Sequence, residues 1–434
     1  MSHIKNQSAF AGLLIGSALL TLIFWTNVSL ADMRFGGQYR IMFNSSNFGW
    51  HQPVISASES ENRYINQRFR LNLDSRFDSG VAAHVQLEFG HNTWGENYYY
   101  TKTLSRTDSD QIGIELRHAY LNFPALGFDT KVGIQDWSDG FGGVLASGDW
   151  DFNVGGVGIQ RQVGKASVRG GFFQLWEGDT RSDDDSQLWT FDLDYRQIGL
   201  AFYHARYQTT PESPDQTGNA SWLGMKARIK SSPVQLNGFL LLNRGSWKNS
   251  ALGKSFNTKA LALKVEAIFE LPRAELGLQG LYSTGNNGMN NSAEDNATFY
   301  TLEQDGQGYW SYLALFTPRG SSDTNNLRAS LRNRDQDGIS RGLSTIQGKL
   351  RIPLNKQLDF YTAAGWFYAS QPDNYGHQSM GTEFLLELKV QLSEELAFEV
   401  GGAYALTGDF YQQANSEANP DNLYEIFSRL QLEF

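Results

Sequence analysis

The sequence predicts an all-β chain closed into a transmembrane, antiparallel up-and-down β-barrel of about eighteen strands, in the range 16–18. Three observations predict it. Apolar and polar residues alternate with period two over segments of roughly 9–14 residues, longer than the five or six of an average globular strand. Short turn signals and long polar stretches succeed one another along the whole chain. The last segment alternates up to Phe434.

Residues 1–31 read as a secretory signal peptide. Lys5 supplies the positive start, an apolar run extends from Phe10 to Trp25, and Val28-Ser29-Leu30-Ala31 places small residues for a cut before Asp32. Residues 32–434 then read as one barrel domain, whose largest loop is 285–341. No later apolar stretch reaches the roughly 20 residues of a membrane helix. The mean hydropathy of −0.42 fits strands, whose two faces average out.

The alternation is clearest at Tyr64 to Asp78. Ile65, Phe69, Leu71, Leu73 and Phe77 share one face, and Asn66, Arg68, Arg70, Asn72, Asp74 and Arg76 the other. Val81 to Phe89, Trp189 to Tyr195, Leu223 to Ile229, Leu261 to Phe269 and Phe384 to Leu392 repeat the pattern. Tight hairpins are expected at Asp78-Ser79-Gly80, Leu126-Gly127, Gly164-Lys165, Ile198-Gly199, Ser231-Ser232-Pro233, Leu271-Pro272-Arg273, Leu354-Asn355-Lys356 and Ser393-Glu394. Polar stretches near 45–61, 91–111, 136–150, 177–186, 208–219, 245–256, 285–341, 370–380 and 408–421 separate them. Short turns at one end and long loops at the other is the arrangement of bacterial outer-membrane barrels. Within 285–341, Ala297 to Leu302 and Tyr309 to Phe316 offer a further hairpin; otherwise the segment folds into the pore as a constriction or, equally, stays outside as a cap or receptor surface.

Composition agrees. The chain has 28 Phe, 19 Tyr and 11 Trp, the residues that form interfacial girdles. A net charge of −10 argues against nucleic acid as a partner. With no cysteine there are no disulfides, thiolate metal sites, haem attachment motifs or cysteine nucleophiles.

Together these features resemble the outer-membrane porins. Arg117-His118-Ala119-Tyr120-Leu121-Asn122-Phe123, followed by Lys131-Val132-Gly133-Ile134-Gln135-Asp136, is similar to a pattern of porins and alginate-export barrels, with Ile134 where that pattern has Arg. The resemblance implies a bacterial outer-membrane location, lipid as surroundings and small polar solutes as cargo. It also implies recognition by barrel-assembly machinery through the strand ending in Phe434.

A barrel of this size is too wide for its own side chains to fill. The register places Arg34, Arg40, Arg68, Arg70, Arg76, Arg117, Lys131, Arg169, Lys226, Arg228, Lys230, Lys349 and Arg351 toward the lumen. Asp74, Glu88, Glu115, Asp192, Asp194, Glu275, Glu383, Glu387, Glu399 and Glu425 face the same way. Arginine ladders favour anions, whereas alternating signs also brace neighbouring strands. Arg68, Arg70 and Arg76 are the strongest solute contacts, because their strand face carries three arginines and one acid. The expected function is a passive channel for small polar, preferentially anionic solutes. An exporter of an anionic polysaccharide, a plugged adhesin or receptor, and a sheath around a cytochrome are the alternatives.

Asn333, Asp335 and Asp337 open a calcium-loop pattern, but its twelfth position is Ser344 instead of Glu. Gly155-Gly156-Val157-Gly158 is followed by no Lys-Ser/Thr, so close packing explains it better than a nucleotide loop. No HExxH or close histidine pair points to a metal, no cofactor is implied, and no constellation points to an enzyme.

Overall fold

The computed structural model describes residues 32–434 apart from 49–61, 95–112, 150, 179–183, 209–215, 251–252, 288–294, 303–309, 318–326, 328, 336–338 and 413–420. The signal-peptide segment 1–31, Asp337 and most of the aromatic stretch Trp94 to Tyr100 therefore lie outside the described residues.

The strands are β1 (Met33–Ser46), β2 (Asn62–Arg76), β3 (Ala82–Thr93), β4 (Ile114–Ala125), β5 (Phe128–Asp136) and β6 (Asn153–Val163). Next come β7 (Ala166–Trp176), β8 (Ser186–Tyr195), β9 (Ile198–Tyr207), β10 (Gln216–Ser231), β11 (Val234–Asn249), β12 (Lys254–Leu271) and β13 (Ala274–Ser283). A two-residue strand, β14 (Asp295–Asn296), lies within the longest loop and pairs parallel to β12. Then follow β15 (Leu343–Pro353), β16 (Leu358–Ala369), β17 (Ser379–Gln391), β18 (Leu396–Thr407) and β19 (Leu423–Glu433). Leaving β14 aside, eighteen strands pair antiparallel with their chain neighbours, and β1 pairs with both β2 and β19. The sheet is closed, so no edge strand is left with unpaired backbone groups.

The turns fall where the sequence puts them, with one correction. The β8–β9 turn is Arg196-Gln197, not Ile198-Gly199, which already belong to β9. Arg196 takes the positive φ of 56° that a two-residue hairpin needs, which leaves Ile198 free to pair with Tyr195. Leu126 and Gly127 do the same between β4 and β5, with φ of 53° and 78°.

The outer face is the apolar one. Leu223, Met225, Leu263, Val265, Phe384 and Leu386 are all exposed on it. Phe35, Phe77, Tyr195 and Phe434 lie toward the short-turn end, and Phe43, Trp94, Trp176, Trp366, Tyr368 and Tyr404 toward the long-loop end, as girdle residues do. At the closing seam the Gly37 amide donates to the Phe434 carbonyl at 2.8 Å, and the Phe434 amide donates back at 3.1 Å. The Phe434 ring stacks on Phe69 at 6.1 Å. A Cβ on Gly37 would sit 2.7 Å from that ring and 2.3 Å from the Arg70 carbonyl oxygen, so this position requires glycine.

The core lies inside the cylinder. The loops following β5 and β13 turn inward and pack Val144, Leu145, Phe299, Leu313, Leu315 and Phe316 against Leu188, Tyr203, Trp222, Leu241 and Phe367 of the wall. The further hairpin within 285–341 does not form. Among its described residues, 297–302 and 310–316 run through the lumen, because their apolar side chains find no lipid-facing position there.

Replacing Leu263, outward-facing near the middle of β12, with arginine is expected to cost about 2–4 kcal/mol in urea-driven unfolding from lipid vesicles. The same substitution at Leu271, beside the short turn, is expected to cost well under half as much.

Candidate functional site

Most lumen charges are tied to a neighbour on the wall. Arg169 contacts Asp192 at 2.9 Å, Lys226 contacts Asp194 at 3.0 Å and Lys349 contacts Glu275 at 2.7 Å. Arg351 contacts Asp359 at 2.6 Å, and Glu399 holds Lys389 at 3.1 Å and Arg429 at 2.6 Å. Lys131 reaches Asp136 at 3.5 Å while lying 4.4 Å over the Tyr120 ring. Cross-strand pairs of this kind stiffen the wall and leave little net field at any one point.

The N-terminal strands are arranged differently. Arg40 on β1 stands directly opposite Arg68 on β2, although like charges in that position repel. Arg70 follows on the same face and contacts Glu88 of β3 at 2.5 Å and Asp151 at 3.5 Å. Arg117 of β4 contacts Glu88 at 3.2 Å and also Asp151. Strict alternation would point Arg117 outward with Ala119 and Leu121. A β-bulge prevents this: Gln86 pairs with His118 and Leu87 with Leu116, so Arg117 is the extra residue. Bulges re-aim side chains in this way, and here four guanidinium groups reach one stretch of lumen wall. Arg40, Arg68 and Arg117 are buried there, while the Arg70 side chain remains 16% exposed.

The other residues that the sequence places in the lumen do not join this group. Arg76 is exposed at the short-turn end of β2, nearer the mouth than Arg70. Glu115 is exposed and pairs in register with Glu88. Arg228 is exposed on the opposite side of the barrel, and Glu387 is buried on β17. Asn333 donates to the Gly342 carbonyl, and Asp335 is held by Arg341 at 2.5 Å and by the Ile339 amide. Those two calcium-loop residues thus serve the loop's own fold, and the described residues contain no group of three His, Asp or Glu placed to hold a metal ion.

Two inward loops define the remaining space. In the loop after β5, buried Asp139 accepts from the amides of Phe141, Gly143, Leu145 and Ala146. Burial pushes its carboxyl above the usual range, and those four donors oppose the shift without cancelling it. Tyr203, hydrogen-bonded to Asp192 at 2.6 Å, accepts from the Gly140 amide, and Arg169 donates to the Ser138 carbonyl. In the loop after β13, Glu383 of β17 accepts from the amides of Ala314, Leu315 and Phe316 at 2.6, 2.8 and 3.0 Å. Gln347 accepts from Ser311 and Tyr312, and the Tyr312 hydroxyl donates to Glu266. Burial, followed by that carboxylate, holds the phenol proton well above its ordinary range. The Leu302 amide donates to the Leu145 carbonyl at 3.1 Å, joining the two loops across the lumen.

The sequence pattern did not single out Asp139, Tyr203 or Gln347, which are unexceptional in type. One signal was available. Leu188, Trp222, Phe367 and Leu385 are apolar at positions whose neighbours face lipid, so their strands are apolar on both faces, which happens only where something packs inside.

No family model matches the chain, and no curated protein matches it. Solved structures do. Pseudomonas aeruginosa OccK8 (OprE) superposes with a TM-score of 0.59 at 12% identity, over 93% of this chain and 98% of that one. Acinetobacter baumannii OccAB1 gives 0.58 at 11%, over 94% and 98%. P. aeruginosa OpdK with vanillate gives 0.57 at 10%, over 93% and 98%. At these identities the likeness establishes the fold alone: a closed eighteen-stranded antiparallel β-barrel. It lends nothing to the alginate-export likeness.

Glu383→Gln keeps the shape but puts an amide nitrogen in place of one of the two accepting oxygens, facing at least one of the three backbone donors. It is expected to destabilise the folded barrel by about 2 kcal/mol in urea and to speed hydrogen exchange at residues 314–316. Unchanged exchange there would remove Glu383 as the anchor.

Proposed function

We propose that this protein is a channel of the bacterial outer membrane for passive diffusion of small polar solutes, with a preference for anions. The observation that carries this reading is the convergence of Arg40, Arg68, Arg70 and Arg117 on one stretch of lumen wall. A guanidinium offers a planar fork of donors that matches a carboxylate. Arg70, tied to Glu88 and Asp151 yet still in contact with the lumen, can exchange part of those bonds for a passing anion at small net cost. The inward loops narrow the passage and force solutes toward the wall, where a fixed charge is felt within a Debye length of about 8 Å. The porin-like fold supports a transport role, and one such barrel has been solved with vanillate, an organic anion.

An exporter of a polyanion draws no comparable support. The loop segments linked by Leu302 and Leu145 cross the lumen where an extended polymer would have to pass.

In planar bilayers under a potassium chloride gradient, the reversal potential is expected to have the sign of anion preference. Arg70→Gln is expected to cut the anion-to-cation permeability ratio by roughly half. A cation-selective wild type would overturn the proposal. Replacing residues 297–331 with a short Gly-Ser linker is expected to raise single-channel conductance severalfold, and unchanged conductance would show that the long loop does not narrow the pore.

A further inference from the structure

On the far side of the barrel from the arginine group lies a cavity of about 620 Å³, within the size range of small-molecule sites. Its position follows from its walls. The turn residues Arg196 and Gln197 belong to the short-turn end, whereas Gly140, Phe141 and Gly142 belong to a loop that descends from the long-loop end. The cavity therefore lies between the inward loop and the short-turn mouth, beyond the narrowed passage.

Its lining combines charge with an apolar surface. Lys226, Arg228, Arg196 and Lys264 contribute four cations, against the carboxylates of Asp194 and Glu266. Four of these charged groups are engaged: Lys226 and Asp194 with each other at 3.0 Å, Lys264 with the Trp310 carbonyl at 3.3 Å, and Glu266 with Asn237 at 2.7 Å as well as Tyr312. Arg196 lies 5.3 Å over the Tyr195 ring. Among the described residues no acid contacts the Arg228 guanidinium, and the residue is exposed where it lines the cavity. The Phe141 and Phe239 rings meet edge to face at 5.6 Å and form the apolar part of the lining. Gly140 and Gly199 leave the room that the Lys226 side chain occupies. A Cβ on Gly199 would lie 2.4 Å from the Lys226 side chain, and one on Gly140 would lie 2.7 Å from its ammonium group.

We infer that this cavity is a second solute-binding site, on the short-turn side of the narrowed passage, for a small organic anion with an apolar body. Arg228 binds the anionic group, and Phe141 and Phe239 receive the body. An anion leaving the arginine group thus moves to a second weak site before exit, which keeps each step shallow, as conduction requires. This inference rests on the anion-channel reading and extends it.

Hexanoate serves as probe, with neutral hexanamide of the same shape as control. In single-channel recordings, hexanoate added on the short-turn side is expected to interrupt the current, with dwell times longer than from the other side, and hexanamide is expected to give none. Arg228→Gln should shorten the dwell time by roughly fivefold to tenfold, the loss of one charge-assisted contact. Arg228→Glu should abolish the events. Both substitutions are at an exposed side chain, and insertion as conducting channels shows that the variants fold. Equal dwell times in wild type and both variants, or interruptions by hexanamide, would overturn the second site while leaving anion preference, read from the reversal potential, untouched. A cation-selective reversal potential would instead overturn the channel reading itself.

Discussion

Backbone hydrogen bonding in a medium without water is the constraint on which this structure depends. An N–H or C=O left unpaired in hydrocarbon costs several kcal/mol, so a sheet that spans a membrane must have no edge. Here the requirement is met at the seam between β1 and β19, strands nearly the whole chain apart. Everything else follows from closure. Once the sheet is a cylinder, alternation along each strand becomes an inside and an outside. A charge on the inside is then a feature of a passage and not of a surface.

Closure also creates a space, and the loops determine its use. A cylinder of eighteen strands leaves room that wall side chains do not fill. Two loops enter it carrying apolar residues, and the wall meets them with Leu188, Trp222, Phe367 and Leu385. Their backbones need partners as much as their side chains need cover. Asp139 supplies four of those partners from within its own loop, and Glu383 supplies three from the wall. These two buried carboxylates therefore work as anchors for inward chain, whereas Glu88, Asp192 and Glu399 hold cations of the wall. Among the four grouped arginines, Arg70 retains a face toward the passage. The division of labour between signs of charge is spatial and could not be inferred from their number, since both are abundant in the lumen.

On the proposed reading, the wall offers an incoming anion two distinct settings. The arginine group is built from strands β1, β2 and β4 and depends on a bulge that adds one residue to β4. The cavity beside Arg228 is built from strand residues and a loop folded down from the far end. Neither setting is a deep, dry pocket, and both mix fixed charges with their counter-charges, as suits transient contact better than tight retention.

The sequence alone determined the all-β class, the eighteen crossings, all but one of the eight tight turns and the outward faces of the strands. Those properties are periodic and local: side chains alternate at every step of a strand, and turn residues carry their own dihedral preferences. Alternation also placed Arg68 and Arg70 correctly. The sequence reading also put Arg117 toward the lumen, although strict alternation from Ala119 and Leu121 points it outward; the bulge that brings it inward is a pairing event between two strands and leaves no mark on either one. Only the tertiary structure decided that Arg76 stands apart, that 297–302 and 310–316 lie within the lumen, and that Glu383 and Asp139 hold loops. Each of these depends on which residues meet across the barrel, and a distance across a closed cylinder is not written in the order of residues along its wall.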